Sequence, residues 1–121
     1  MELLRNNTLK KQHKKIENNL IKALTTACEL LKHHIDGFEW LTHFASYEQF
    51  PKSLAIVCVL STNQQLSAML QAGKEVDLAA IIDQQLALVG IKLKDIKQHL
   101  EFDSEEQCQL EHGGNWNKRF R

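Results

Sequence analysis

The chain has 121 residues, of which 43% are hydrophobic and 25% charged, an ordinary composition for one globular domain with a single core. Fifteen basic and fifteen acidic residues cancel, which argues against a polycation that coats nucleic acid over its whole surface but leaves a local basic patch open. One proline and five glycines predict no long linker, so we expect a single domain over residues 1–121, with 1–8 and 115–121 as candidate flexible tails.

The cysteines and the apolar runs indicate the compartment. Cys28, Cys58 and Cys108 are widely spaced and form no CxxC pair, which favours reduced thiols in a reducing compartment. The N-terminal segment is polar and basic and has no apolar stretch of the signal-peptide kind. The longest apolar run, residues 54–60, is too short to cross a bilayer. We therefore predict a cytoplasmic protein without a membrane partner.

Helix and strand periodicities predict the first three elements. From residue 9 to 35, apolar residues recur every three or four positions and predict one long amphipathic helix, which Asp36-Gly37 ends. Residues 38–46 predict a strand with Phe38, Trp40, Thr42 and Phe44 on one face. Residues 53–61 are apolar on both faces, as in a central strand, and follow a loop through Pro51. The two strands are close enough in sequence for an antiparallel hairpin.

Capping residues predict the remaining elements. Ser61 or Thr62 begins a helix that Gly73 ends, and a second helix covers 75–89. The secondary structure of residues 91–97 is not determined by their pattern, and residues 99–103 predict a third strand. Ser104 and Gln107 predict a capping box that starts a last helix, which ends at 113–114. The predicted fold is α+β, in the order α-β-β-α-α-β-α, with helices packed on a three-stranded, mainly antiparallel sheet.

Signatures of catalysis are missing, since the sequence contains no phosphate-binding glycine loop, nucleophile elbow or HExxH motif. The best metal candidate is 99–103, because on a strand His99, Glu101 and Asp103 share one face, and one imidazole with two carboxylates suits a divalent ion. The alternative is an ordinary polar solvent face. His43 could join His99 in acid–base chemistry if the strands were suitably ordered. No cofactor is predicted.

Basic residues cluster at both ends of the chain. The first fifteen residues contain Arg5, Lys10, Lys11, Lys14 and Lys15, and the tail contains Lys118, Arg119 and Arg121 beside Trp116 and Phe120. Basic side chains next to aromatics can contact phosphates and stack on bases, and the two ends would form one positive patch if they met. The alternative is a solvated first helical turn and a tail that is docked by its aromatics.

Two further features suggest surfaces for partners. Tyr47 and Phe50 in the hairpin loop, with Trp40, could form an aromatic binding patch, or they could plug the open end of the core. A helix as long as 9–35 can overhang a small sheet and bury its apolar stripe against a second subunit, which makes a homodimer a further hypothesis.

Two stretches of the chain, which together cover most of it, carry a family resemblance through Gly37-Phe38-Glu39-Trp40-Leu41-Thr42-His43, Tyr47, Phe50-Pro51, Ser53-Leu54, Val57-Cys58-Val59, Phe102-Asp103-Ser104-Glu105-Glu106, Cys108, Glu111-His112-Gly113-Gly114 and Trp116. They resemble a small, uncharacterised proteobacterial family whose members often carry the label "Fis family transcriptional regulator". The resemblance implies a bacterial cytoplasmic domain and carries over no functional residues. The last forty residues show no pair of helices with a basic recognition face, as a DNA-reading helix-turn-helix would require.

The sequence thus favours a non-catalytic binding module, with a regulatory role as one option, that acts on a protein or on nucleic acid. In the nucleic-acid version the phosphate contacts come from Lys10, Lys11, Lys14, Lys118, Arg119 and Arg121. The alternative is a small metal-assisted or acid–base enzyme that uses His43, His99, Glu101 and Asp103.

Overall fold

A computed structural model describes the backbone of residues 2–121 and the side chains of residues 10–121. The helices are α1 (Glu2–His34), α2 (Asn63–Gln71), α3 (Glu75–Leu88), α4 (Glu105–His112) and α5 (Trp116–Arg119). The strands are β1 (Phe38–Phe44), β2 (Ala55–Leu60) and β3 (Leu100–Ser104), with short 3-10 turns at Tyr47–Gln49 and Ile96–His99. The predicted α+β class and the order α-β-β-α-α-β-α are confirmed, with α5 as an additional short helix.

The sheet is mixed, with strand order β1-β2-β3. β1 and β2 form the predicted antiparallel hairpin. β2 and β3 are parallel, so the prediction of a mainly antiparallel sheet is wrong for this pair. The physical reason lies in the connection, because α2 and α3 together carry the chain back past the sheet, and a crossover of this length permits a parallel return.

The core lies on one face of the sheet, here called the core face, which carries Ile56, Cys58 and Leu60 of β2. The apolar stripe of α1 and one side of α3 pack on this face. The largest fully buried side chains of these two helices are Leu20, Leu31, Leu78, Ile82 and Leu86. Each such side chain contributes roughly 1.5–3 kcal/mol when it leaves water, so this layer dominates the stability of the fold.

The opposite face, here called the rear face, carries Val57 and Val59, which are also buried. The apolar character of β2 on both sides is therefore explained, as predicted for a central strand. β3 follows the same alternation, since Glu101 lies beside Val57 and Asp103 beside Val59 in the register. What covers the rear face is the C-terminal segment described below.

A β-bulge between Phe38 and Trp40 changes the faces of β1. Phe38 pairs with Leu60 and joins the core, whereas Trp40 pairs with Val59 and lies on the rear face with Thr42 and Phe44. The prediction that Phe38 shares a face with those three residues is wrong, because strict alternation fails wherever a bulge inserts one extra residue.

Two predicted N-caps are confirmed at the edge where β2 and β3 end. The hydroxyl of Thr62 accepts from the backbone N–H of Gln65, and the hydroxyl of Ser104 accepts from that of Gln107. The buried Ser104 hydroxyl also donates to the side chain of Asn63, which ties the start of α4 to the start of α2. The Gln107 amide accepts from Asn63 and donates to Glu111 rather than completing a capping box.

α1 begins at Glu2, seven residues before the predicted start at residue 9. At a rise of 1.5 Å per residue, a helix of 33 residues is roughly 50 Å long, which is longer than any side of a small domain. Its first buried residue is Leu20, so in the described side chains the preceding turns from Lys10 onward carry mostly exposed residues. Among the residues described, no helix combines the length and the apolar character that a bilayer crossing requires.

Candidate functional site

The C-terminal segment folds back over the rear face at a turn made by Gly113 and Gly114. Their φ angles are +60° and +83°, in the left-handed region that residues with a Cβ avoid. Gly113 donates to the Gln109 carbonyl and Gly114 to that of Cys108, so the end of α4 is satisfied as the chain reverses. Residues 115–121, predicted to be either a flexible tail or a docked one, continue from this turn as α5 and lie against the sheet.

Two tryptophans and one carboxylate hold α5 in place. The rings of Trp40 and Trp116 meet edge to face, with centroids 4.8 Å apart and planes at 84°. One carboxylate oxygen of Glu105 accepts from the Trp40 indole at 2.5 Å, and the other accepts from the Trp116 indole at 3.2 Å. Phe120 packs edge to face on Phe44 at 5.2 Å. The tail aromatics are therefore used for packing.

Arg119 is held by a network of carboxylates. Its guanidinium binds Asp103 through two bonds, Nε to Oδ2 at 2.5 Å and Nη2 to Oδ1 at 2.9 Å, and Nη1 binds Glu111 at 2.7 Å. These bonds raise the pKa of Arg119 above its already high ordinary value. Because Asp103 and Glu111 already accept from the guanidinium, Arg119 has no free pair of N–H groups with which to bind a phosphate. The predicted role of Arg119 in nucleic-acid binding therefore loses its basis.

A cavity of about 470 Å³ remains between this segment and the rear face. Its polar lining is Glu101, Asp103, Glu111, His112 and Arg119, and its apolar lining is Phe44, Val57, Phe102 and Phe120. Because three acids face one arginine there, the cavity does not suit an anionic ligand.

The exposed face of α1 carries the densest positive charge in the described residues. At 100° per residue, the five lysines between residues 10 and 22 fall within an arc of about 140°. Their arc is centred almost opposite the stripe that includes Leu20, Leu24 and Leu31. We call this set the lysine face, and it consists of Lys10, Lys11, Lys14, Lys15 and Lys22, all exposed.

Among the described residues, no acidic side chain forms an ion pair with the lysine face, although Glu17 follows Lys14 by three positions and Glu29 points in the same direction about two turns beyond Lys22. The ion pairs found in the described residues join Lys32 to Glu29 and Arg119 to its two acids. Glu17, the acidic residue nearest in sequence, lies at the edge of the apolar stripe, where it faces Tyr47. Lys15 and Lys22 were not among the predicted binding residues; their helical spacing from Lys11 was the signal that could have found them.

The two basic ends of the chain do not converge. α1 packs on the core face, whereas α5 packs on the rear face through Trp116 and Arg119. Lys118 and Arg121 are exposed, but they lie across the sheet from the lysine face. The condition for a single positive patch made from both ends is therefore not met by the described residues, because the sheet separates them.

The structure disperses the four residues of the metal hypothesis. His43 pairs with Ile56 and lies on the core-face side of β1, whereas Glu101 and Asp103 lie on the rear face. His99 ends a 3-10 turn rather than starting a strand, and its Nδ1 lies 2.7 Å from the Leu54 carbonyl. Within the residues described, no group of three or more His, Cys, Asp or Glu side chains is arranged to hold a metal ion. The prediction that His99, Glu101 and Asp103 share one strand face is wrong.

The loop aromatics close one end of the core. Tyr47 and Phe50 are half-buried and pack against the core cluster, with ring centroids 6.2 Å apart. His13 of α1 lies 5.9 Å from the Tyr47 ring. Of the two alternatives left by the sequence, this placement favours the plug over an exposed patch.

The fold and these contacts define a class, an α+β domain whose mixed sheet is covered on both faces and whose first helix displays the lysine face. Comparison with models of protein families, with curated proteins and with solved structures finds no match for this chain.

Proposed function

We propose that the chain is a non-catalytic binding module whose lysine face binds the phosphate backbone of nucleic acid. The observation that carries this proposal is the lysine face itself, five exposed lysines on one side of α1 that form no ion pair with another described residue. In a chain with no net charge, this arrangement concentrates positive potential on one surface. A regulatory role in a bacterial cytoplasm stays a prediction.

The lysine face is not explained by the stability of the fold. Lys10 and Lys14, and likewise Lys11 and Lys15, are like charges four residues apart on a helix, which cost roughly 0.2–0.5 kcal/mol per pair. A polyanion along this surface would remove that repulsion and release counterions from its own phosphates.

The docked tail limits the kind of recognition. Because Trp116 and Phe120 pack on the protein, they do not supply the stacking platforms that single-stranded bases require. Lysines bind phosphates as point charges and carry no information on base sequence. We therefore propose a binding mode that depends strongly on salt and weakly on sequence.

The test compares two triple variants by fluorescence anisotropy with a mixed-sequence DNA duplex at several salt concentrations. Replacing Lys10, Lys11 and Lys14 with glutamine should weaken binding and lower the slope of log affinity against log salt by about 0.9 for each lost phosphate contact. The matched control replaces Lys92, Lys94 and Lys97, three exposed lysines of the α3–β3 connection, and should leave the slope unchanged.

If both triple variants lost the same affinity for DNA, the loss would come from total charge rather than from the position of the lysines. That result would contradict a specific role of the lysine face. A wild-type chain that binds neither duplex DNA nor RNA at low salt would remove the proposal. Circular dichroism of both variants checks that the fold is retained, since all six lysines are exposed.

A further inference from the structure

A cleft of about 450 Å³ lies where α1, the hairpin loop and the end of α3 meet. α1 contributes Lys15, Ile16 and Asn19 to its lining, the loop contributes Phe50, and the chain after α3 contributes residues 89–92. A volume of this size is typical of sites that bind small molecules, which have roughly 300–1,000 Å³. The cleft lies on the core-face side of the sheet, so it is separate from the C-terminal segment on the rear face.

Apolar side chains form the walls of this cleft. Ile16, Phe50 and Val89 are half-buried, because one side of each packs against the core cluster. These three side chains also line the cleft, so part of their apolar surface is left in contact with water. A ligand with an apolar body would remove that surface from water, which is a favourable change.

Backbone hydrogen bonds fix the two walls that do not belong to α1. At the end of α3, the N–H groups of Gly90 and Ile91 donate to carbonyls of the last turn at 3.0 and 2.9 Å. In the loop, the Leu54 N–H donates to the Pro51 carbonyl at 3.1 Å. The cleft is therefore formed before a ligand arrives, and a preformed site requires less ordering when the ligand binds.

The charged residues that line the cleft are both lysines. Lys15 and Lys92 are exposed, and neither forms an ion pair with another described residue. The acid nearest to Lys15 in sequence, Glu17, accepts a hydrogen bond from Tyr47. The acid nearest to Lys92, Asp95, accepts from a backbone N–H two residues further along the chain. The positive charge at the cleft is therefore left without a local partner.

Four other cavities of the described structure differ from this cleft in their charge. Each of them includes at least one acid in its lining, and these acids include Asp103, Glu29, Asp36 and Asp77, one for each cavity. Only positive charge lines the cleft beside Phe50. Charge complementarity therefore favours an anion in this cleft, and the apolar walls favour an anion that carries a hydrocarbon body.

We propose that this cleft binds a small organic anion, a carboxylate joined to an aromatic or aliphatic body. The body packs against Ile16, Phe50 and Val89, and the carboxylate lies toward Lys15 and Lys92. An uncharged hydrocarbon would leave both lysines unused, and an inorganic anion would leave the walls uncovered. The proposal does not depend on nucleic-acid binding, although Lys15 belongs both to this cleft and to the lysine face.

The first test titrates the full chain with hydrocinnamate and, separately, with octanoate, and follows backbone amide NMR signals at constant pH and salt. The largest shift changes should occur at the amides of Phe50, Gly90 and Ile91. Hydrocinnamamide, the uncharged analogue of the first probe, should bind about tenfold more weakly, because it forms no ion pair with the two lysines.

The second test removes the two charges from the protein. Lys15→Gln combined with Lys92→Gln should weaken hydrocinnamate binding by about tenfold and leave hydrocinnamamide binding unchanged. The matched control combines Lys94→Gln with Lys97→Gln, which removes the same charge from exposed lysines outside the cleft and should bind as the wild type does. All four lysines are exposed, and the amide spectrum itself shows whether each variant is folded.

Four results would overturn the proposal. They are a wild type that binds neither carboxylate up to its solubility limit, shift changes that centre on another part of the chain, an uncharged analogue that binds as tightly as hydrocinnamate, and two double variants that lose the same affinity.

Discussion

Tyr47 is a residue whose surroundings can be measured directly, because it is the one tyrosine of the chain. Partial burial raises the pKa of its hydroxyl, and the negative charge of Glu17 raises it further, since both disfavour the phenolate. We expect ultraviolet titration of the phenolate to give a midpoint above the ordinary value of 10.0.

Glu17→Gln provides the control for this titration. Removing the carboxylate should lower the midpoint, which should still stay above the ordinary value because burial remains the larger cause. A midpoint that is the same in both proteins would mean that Glu17 does not face Tyr47, and the contact between α1 and the hairpin loop would then be wrong.

At the scale of an element, α5 is too short to be stable by itself and depends on its contacts. A helix of four residues lies far below the roughly 12–15 residues at which isolated helices become marginally stable. Its order comes from the Trp40–Trp116 contact, the Glu105 carboxylate and the Arg119 ion pairs. The segment is therefore part of the folded domain that covers Val57 and Val59.

Trp116→Ala tests this dependence. It removes the ring that contacts Trp40 and leaves one oxygen of Glu105 without its indole donor. We expect the free energy of unfolding to fall by about 2 kcal/mol, below the ~3–5 kcal/mol of a fully buried tryptophan because Trp116 is half-buried. Urea unfolding followed by far-UV circular dichroism gives the value.

Arg121→Ala is the matched control, since Arg121 lies in the same segment but is exposed. Its unfolding curve should overlay that of the wild type. If Trp116→Ala also left the unfolding curve unchanged, α5 would not be docked on the rear face, and Trp116 would be free for a partner.

At the scale of the whole molecule, the lysine face of α1 and the acids around α4 lie on opposite sides of the sheet. Among these acids, hydrogen bonds from Gln107 and from Arg119 hold the pKa of Glu111 below its ordinary value of 4.5. A group whose pKa is lowered by folding stabilises the native state above its unfolded pKa, and this contribution is lost as pH falls through the folded pKa.

The acid stability of the chain should therefore depend in part on Glu111. We expect the wild type to melt at a higher temperature than Glu111→Gln at neutral pH, and the difference to shrink as pH falls below 4.5. Thermal unfolding of both proteins over this pH range measures the difference. Glu101→Gln, which removes the same charge from a neighbouring exposed acid, is the matched control for the loss of one carboxylate.

The sequence alone determined the kinds of elements and most of their limits. Periodicity of 3.6 or 2 residues and the capping residues Thr62 and Ser104 report local backbone geometry, and local geometry depends mainly on neighbouring residues. The same periodicity already placed the lysines of α1 away from its apolar stripe, so the candidate binding face was largely readable before the structure was known.

The tertiary structure decided what depends on residues far apart in the chain. The parallel pairing of β2 with β3, the bulge that turns Phe38 into the core, and the partners of Arg119 all arise from long-range packing, which no local pattern encodes. The same packing separated the two basic ends and dispersed His43, His99, Glu101 and Asp103. Residues from different elements form a site only when tertiary packing brings their side chains to one surface. The lysines of α1 need no such packing, because the periodicity of a single helix already places them on one side.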